Sequence, residues 1–397
     1  MTVEHAAHDI RLLRGGVDLF AALVSAMDAA QREVRLETYI FDFSGAGADV
    51  GHALVRAAQR GVAVYVVVDG VGTGQLPSAW AQRFSQAGVH CHVYSPLTRF
   101  GFWIPSGWRR LHRKLCVVDQ AVAFCGGINI LDDYLDPHVQ GLLQAPRLDY
   151  AVSVRGPVVR AVHDTMTQLW SRMEAVQELR SQDIAAALDA LRSADQDLTL
   201  PSRGAVQLVL RDNVRHRVQI ERVYRKALAA AREDVVLASA YFFPGLRLRR
   251  ALVMAARRGV RVRLLLQGQY EYFLPYHASR QLYGQLMAAG IEIYEYHASY
   301  LHAKVAVVDP QHDRPWATVG SSNLDPLSLL MAREANVLVA DRTFARGLYQ
   351  RLEQIMAEHC EAVSIESYRR RSWHQRLRDR VAFGLMRLVL FLLGHRY

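Results

Sequence analysis

Leu111–Asn129 reads LHRKLCVVDQAVAFCGGIN, and Leu301–Asn323 reads LHAKVAVVDPQHDRPWATVGSSN. Each copy sets a His and a Lys two residues apart, then an apolar run, an Asp five residues past the Lys, and a Gly-led turn ending in Asn. On a strand, residues i and i+2 share a face. His112 and Lys114 therefore point the same way, as do His302 and Lys304. The runs LCVV and VAVV anchor each strand in a sheet. GGIN and GSSN read as tight turns that expose backbone N–H groups and the amides of Asn129 and Asn323. An imidazole, an ammonium, an amide and free N–H donors together suit an anion. A Lys beside each His repels a cation, and no carboxylate cluster sits at ligand spacing, so no metal is expected.

The duplication extends outward from these sentences. ALVRAAQRGVAVYVVVDG (Ala53–Gly70) matches ALVMAARRGVRVRLLLQG (Ala251–Gly268) without a gap. Each reads as an amphipathic helix, a Gly stop and a buried strand. A helix and strand precede each (Val17–Gln31 then VRLETYIF; Ile220–Arg232 then VVLASAYFF), and a helix and three strands follow. Helices alternating with short β-branched strands predict α/β layers. A long helical stretch, Val158–Leu191, and the polar linker SADQDLTLPSRG separate the halves. The expected domains are 1–196, 197–367 and a basic tail, 368–397.

The chain of 397 residues is 51% hydrophobic and 22% charged, with a formal net charge of +10. That balance describes a globular protein and favours an anionic partner, either nucleic acid or an acidic membrane surface. The four cysteines show no paired spacing for zinc and read as reduced, buried thiols. The N-terminal MTVEHAAHDIRLLRGG does not read as a signal peptide. No stretch reaches the roughly 18 apolar residues that span a bilayer.

H-x-K-x4-D followed by G-x-x-N, twice in one chain, resembles the phospholipase D superfamily. The stretches LETYIF, HRKLCVVD, FCGGIN, RDN, AYFFPG, LHAK, TVGSSNLDPLS and EANV are similar to those of bacterial cardiolipin synthases, of the shorter type without N-terminal membrane spans. The resemblance implies two homologous α/β/α lobes with pseudo-two-fold symmetry and one active site at their interface. It implies a phosphohistidine route with no metal or other cofactor: His112 attacks phosphorus, His302 serves as acid and base, and Lys114, Lys304, Asn129 and Asn323 hold the phosphoryl oxygens. The reverse assignment of the two histidines is equally compatible with the symmetry. Asp119 and Asp309 belong to the family's catalytic motif, but their place reads as structural, closing the strand end. Gly127 stands where the second copy has Ser321, so one hydroxyl near the substrate is missing. Glu334 and Asp149 match the carboxylates that support the histidines, and Glu37 is a candidate for a polar wall of the site.

The implied substrates are phospholipids: phosphatidylglycerol as donor and acceptor, with phosphatidylethanolamine as a second candidate. The alternatives are a phospholipase D that makes phosphatidic acid, or a nuclease of the same fold; nucleic acid is not the expected partner. The insert SPLTRFGFWIPSGWRR mixes aromatic residues with Arg, which suits a membrane interface, base stacking on single-stranded nucleic acid, or a loop folded over its own lobe. In the tail, Trp373, Leu377, Val381, Leu385, Leu388 and Leu392 form one helical stripe. Arg369, Arg376, Arg380 and Arg387 form another. These stripes suit a separable helix lying in the headgroup plane, on the cytoplasmic face of the bacterial cell membrane; the alternative is a terminal helix docked on the protein.

Overall fold

The apolar runs repeated in the sequence become the central strands of two sheets. The computed structural model describes residues 8–96, 109–136, 141–180, 205–212, 218–325 and 332–392. The aromatic insert (97–108) and the linker lie outside the described residues. Two compact units form, one within 1–132, 151–208 and 333–337, the other within 133–150, 209–332 and 338–397. These bounds differ from the expected ones: each unit takes a short segment from the other half of the sequence, and the tail belongs to the second unit.

In the first unit the strand order is Asp9–Arg14, Tyr150–Arg155, Val122–Gly126, Lys114–Val118, Glu33–Thr38, Ala63–Asp69, Val89–Tyr94. Glu33–Thr38 pairs in parallel with Ala63–Asp69 and antiparallel with the motif strand, with Leu36 opposite Cys116. The second unit repeats this pairing. Asp234–Ser239 runs parallel to Arg261–Gln267 and antiparallel to Lys304–Val308, with Leu237 opposite Ala306 and Ser239 opposite Lys304. Helices cover the sheets through apolar stripes. Val50, Ala53, Leu54 and Ala57 are buried on helix Gly45–Gln59, and Leu248, Leu252 and Ala255 on helix Leu246–Arg257. Both helices stop in the same way. Gly61 (φ 88°) and Gly259 (φ 90°) take a left-handed conformation that a side chain disfavours.

Asp119 and Asp309 mark the far end of the motif strands. Both have positive φ (51° and 47°), a conformation that Asp tolerates better than most residues. The Asp119 carboxylate accepts the backbone N–H groups of Gln31, Arg32 and Glu33 at 2.8–2.9 Å. Asp309 accepts those of Arg232, Glu233 and Asp234 at 2.9–3.1 Å. Burial works against the Asp119 charge, but the three donors outweigh it and hold the carboxyl below its ordinary pKa.

The tail helix, Trp373–Leu392, is not the separable element that its two stripes suggested. A third stripe, Asp379, Ala382, Met386 and Leu390, is buried, and the three apolar members join the second unit's core. Asp379 Oδ1 lies 2.7 Å from His277 Nδ1, on helix Phe273–Met287, and Arg371 bonds its other oxygen. The acidic Asp379 and small Ala382 at i and i+3 hid this face behind the larger apolar row.

Asp309→Ala should lower unfolding free energy by about 1–3 kcal/mol, through three orphaned N–H groups. Asp309→Asn, which keeps one acceptor oxygen, should lose less; denaturant midpoints measure both. Asp119→Ala should show a pH signature. The folded carboxyl is depressed, so its contribution is present above the unfolded value of about 4 and is lost as pH falls through the folded one. The gap between wild type and variant should close in acid.

Candidate active site

Strand pairing brings the polar residues of each motif to one sheet end. Lys114 begins its strand and faces Gly126 across the ladder, so Gly127, Ile128 and Asn129 follow directly beside it. Val305 faces Val319, which sets Lys304 level with Gly320 and the Ser321–Asn323 turn. Asp119 and Asp309 sit at the opposite ends of these strands, so neither enters the site. Although they belong to the motif, both serve structure at the strand end.

Both lysines curl back on their own histidine. Lys114 Nζ donates to the His112 carbonyl at 2.8 Å, and Lys304 Nζ donates to that of His302. Lys114 and Lys304 are 6% and 1% exposed. An ammonium held this deep favours an anion that replaces lost hydration. Asn129 is buried and accepts Ile40 N–H through Oδ1 at 3.2 Å, which leaves its NH2 group as a donor. Asn323, Ser321 and Gly127 are buried in the equivalent turns.

Each imidazole is backed by a carboxylate from the other half of the sequence. In the first unit, His112 Nδ1 lies 3.0 Å from Glu334 Oε1, and His112 N–H donates to the Arg333 carbonyl at 3.0 Å. In the second, His302 Nδ1 lies 2.7 Å from Asp149 Oδ2, and His302 N–H donates to the Leu148 carbonyl at 2.9 Å. Glu334 is fully buried and Asp149 nearly so. A carboxylate at Nδ1 selects the tautomer that carries its proton there and leaves the Nε2 lone pair for chemistry. The sequence marked both acids but did not say which histidine each one serves.

Glu37 is corrected. It does not line the site but forms a buried ion pair with Arg113, whose Nη2 lies 2.9 Å from Glu37 Oε1. Arg113 stands between His112 and Lys114 and so points to the opposite face of the strand. The matched residues of the second half, Ala238 and Ala303, are both buried alanines. That paired exchange, charge for charge and methyl for methyl, was the signal available in the sequence.

Tyr39 is the site residue that sequence reasoning passed over. Its ring centroid is 5.0 Å from that of His112, and Lys114 Nζ lies 5.5 Å from the ring. Burial, and then the Asp69 charge, push its phenol above the ordinary value, so it stays protonated. The second half has Ala240 in its place.

A family model described as "Cardiolipin synthase, PLD-like domain" matches residues 23–140 and 224–356. Cardiolipin synthase B of Escherichia coli (strain K12) is 37% identical, over 97% of this chain and 89% of its own length. Cardiolipin synthase B of Salmonella typhi is 37% identical, over 98% and 90%. The crystal structure of phosphatidylserine synthase from Haemophilus influenzae Rd KW20 superposes with a TM-score of 0.66 at 13% identity, over 97% of this chain and 94% of that one, a likeness of fold. Two matched segments, each with its own H-x-K strand, and identity along nearly the whole length identify the chain as a member of the cardiolipin synthase family with phospholipase D-like domains.

Proposed function

We propose that the protein is a phosphatidyltransferase that makes cardiolipin from two molecules of phosphatidylglycerol and releases glycerol. The observation that carries this reading is the pair of histidines, each with Nδ1 against a buried carboxylate at 3.0 and 2.7 Å. Both act on one phosphoryl group. His112 Nε2 attacks phosphorus, an N–P bond forms, and the P–O bond to the departing glycerol breaks. His302 gives that oxygen its proton. A hydroxyl of the second phosphatidylglycerol then attacks, His302 takes its proton, and the N–P bond breaks. Lys114, Lys304, Asn129 and Asn323 hold the non-bridging oxygens as charge builds there. Water would give phosphatidic acid instead, so exclusion of water favours transfer.

The membrane is met by the outer face of helix Trp373–Leu392, as on the cytoplasmic surface of a bacterial cell membrane. Trp373, Leu377, Val381, Leu385, Leu388 and Phe391 are 46–71% exposed on a helix whose other side is built into the core. Arg369, Arg376, Arg380 and Arg387 are exposed as well. No described helix is long and apolar enough to cross a membrane. A fixed helix with one face docked and one apolar row open suits the headgroup plane, with the arginines on anionic lipid phosphates.

His112→Ala and His302→Ala should each lower cardiolipin formation from labelled phosphatidylglycerol vesicles by about 10³-fold or more, with the melting temperature kept. Glu334→Gln and Asp149→Asn should lower it about 10²-fold. Phosphate trapped on His302 and never on His112 would reverse the two roles, and near wild-type turnover in either alanine variant would refute the scheme.

Replacing Trp373, Leu377, Leu385 and Leu388 with Ser should cut co-sedimentation with phosphatidylglycerol vesicles at least about tenfold while the fold survives, because these side chains leave the core untouched. High salt should weaken wild-type binding without abolishing it, since the apolar contribution is unscreened. Unchanged sedimentation of the fourfold variant would place the membrane contact elsewhere.

A further inference from the structure

Ala53–Gly70 and Ala251–Gly268 match without a gap, yet the turn after this strand differs. Asp69, Gly72, Thr73 and Gly74 correspond to Gln267, Tyr270, Glu271 and Tyr272, with Pro77 matching Pro275. In the first unit this place is filled. Asp69 accepts the Leu111 N–H at 2.8 Å, those of Val71 and Gly72 at 2.8 and 3.2 Å, and Arg110 at 3.2 Å. Thr73 Oγ1 donates to the Tyr39 carbonyl at 3.0 Å and accepts Phe41 N–H at 2.9 Å. A Cβ on Gly72 would stand 2.3 Å from the Tyr39 oxygen, so the turn is laid directly on the strand end.

In the second unit the same place is open. A small open cavity is lined among others by Tyr241, Phe242, Gln267, Glu271, Tyr272 and Tyr276. Gln267 keeps the job of Asp69, accepting Leu301 N–H at 2.8 Å, one residue before His302. Its amide nitrogen is buried and finds no partner among the described residues. Tyr241 lies two residues past Ser239, which faces Lys304 across the sheet. Its hydroxyl donates to Glu271 Oε2 at 2.8 Å. The cavity therefore opens at the strand end that carries Lys304 and His302.

The lining is selective. Among the described residues it holds one carboxylate and no cationic side chain, in a chain of formal charge +10. An anionic group is repelled here. A polyol fits, since its hydroxyls can donate to Glu271 and accept from Gln267 while its carbons lie against tyrosine rings. Burial, and then the neighbouring Glu271, hold the Tyr241 phenol well above its ordinary value, so Tyr241 remains a donor.

We propose that this cavity is the subsite for the glycerol headgroup of the acceptor alcohol that enters the phosphoryl centre, built in one half of the duplicated chain by the divergence of a turn that is closed in the other. The inference rests on the transferase reading and assigns its alcohol specificity to Tyr241, Gln267 and Glu271. None of these touches the reacting phosphorus, so they select the acceptor and leave formation of the phosphoenzyme alone.

The test uses the full chain, phosphatidylglycerol vesicles, and labelled glycerol or ethanolamine as soluble acceptor. Headgroup exchange is followed beside hydrolysis to phosphatidic acid. Glu271→Gln and Tyr241→Phe should raise the KM for glycerol about tenfold or more, leave hydrolysis within about twofold, and so lower the ratio of transfer to hydrolysis. Melting temperatures confirm that the variants are folded. An unchanged glycerol KM overturns the proposal. So does a parallel loss of exchange and hydrolysis, or a wild type that takes ethanolamine in preference to glycerol. A wild type that forms neither cardiolipin nor exchanged lipid refutes the transferase reading and this inference with it; a competent wild type with indifferent variants refutes this inference alone.

Discussion

An imidazole attacks phosphorus only through a nitrogen whose lone pair is free and aimed, and that requires an acceptor on the other nitrogen. Here the acceptor is a buried carboxylate at 3.0 Å from His112 and 2.7 Å from His302. Glu334 comes from the second half of the sequence and serves the first unit, whereas Asp149 does the converse. Neither half of the sequence can complete its own histidine. This explains why the short segments 133–150 and 333–337 cluster away from their sequence neighbours.

The sheets give these pairs their precision. Each H-x-K strand is flanked by fully buried neighbours in matched register, so its first residue can hardly shift without moving a core strand. Backbone bonds from each His N–H to the segment that carries its carboxylate tie the two elements together. The buried ammonium groups have the opposite character. They are costly to desolvate and are answered in part by their own histidine carbonyl, a poor substitute for a phosphate. Geometry is fixed before substrate arrives.

Much of this was legible from residue order. Period-two alternation placed His and Lys on one face, and five residues of strand separated Lys from Asp, so the strand-end role of Asp119 and Asp309 followed from spacing alone. What escaped was whatever depends on a partner distant in sequence. Glu37 looked like a site residue because it stood near the motif strand; its partner Arg113 lay one residue off the expected face. The tail displayed its large apolar row and hid a docking face made of Asp379, Ala382, Met386 and Leu390, because hydrophobicity alone does not mark an alanine or a bonded aspartate as buried. The exchange of carboxylates could not be read at all, since matched halves predict matched pairing within each half.

A duplicated site begins with two equivalent histidines, yet the reaction assigns them unequal work: one must bond to phosphorus and the other must pass a proton. The His, Lys, Asn and carboxylate sets are retained in both halves, so the inequality has to come from what surrounds them. Three differences lie close by. Tyr39 stands against His112 where the second half has Ala240. The Glu37–Arg113 pair braces the first motif strand from behind where the second has Ala238 and Ala303. The turn beyond the neighbouring strand is sealed by Gly72 and Thr73 in one unit and opened around Glu271 in the other. A histidine with an aromatic ring over it and a braced strand behind it is held in one orientation, as suits a nucleophile. His302 follows Leu301, whose N–H is held by the cavity residue Gln267, so the proposed alcohol subsite lies beside the histidine proposed as acid and base. The proposed roles, His112 for attack and His302 for proton transfer, thus rest on these differences as well as on the order along the chain.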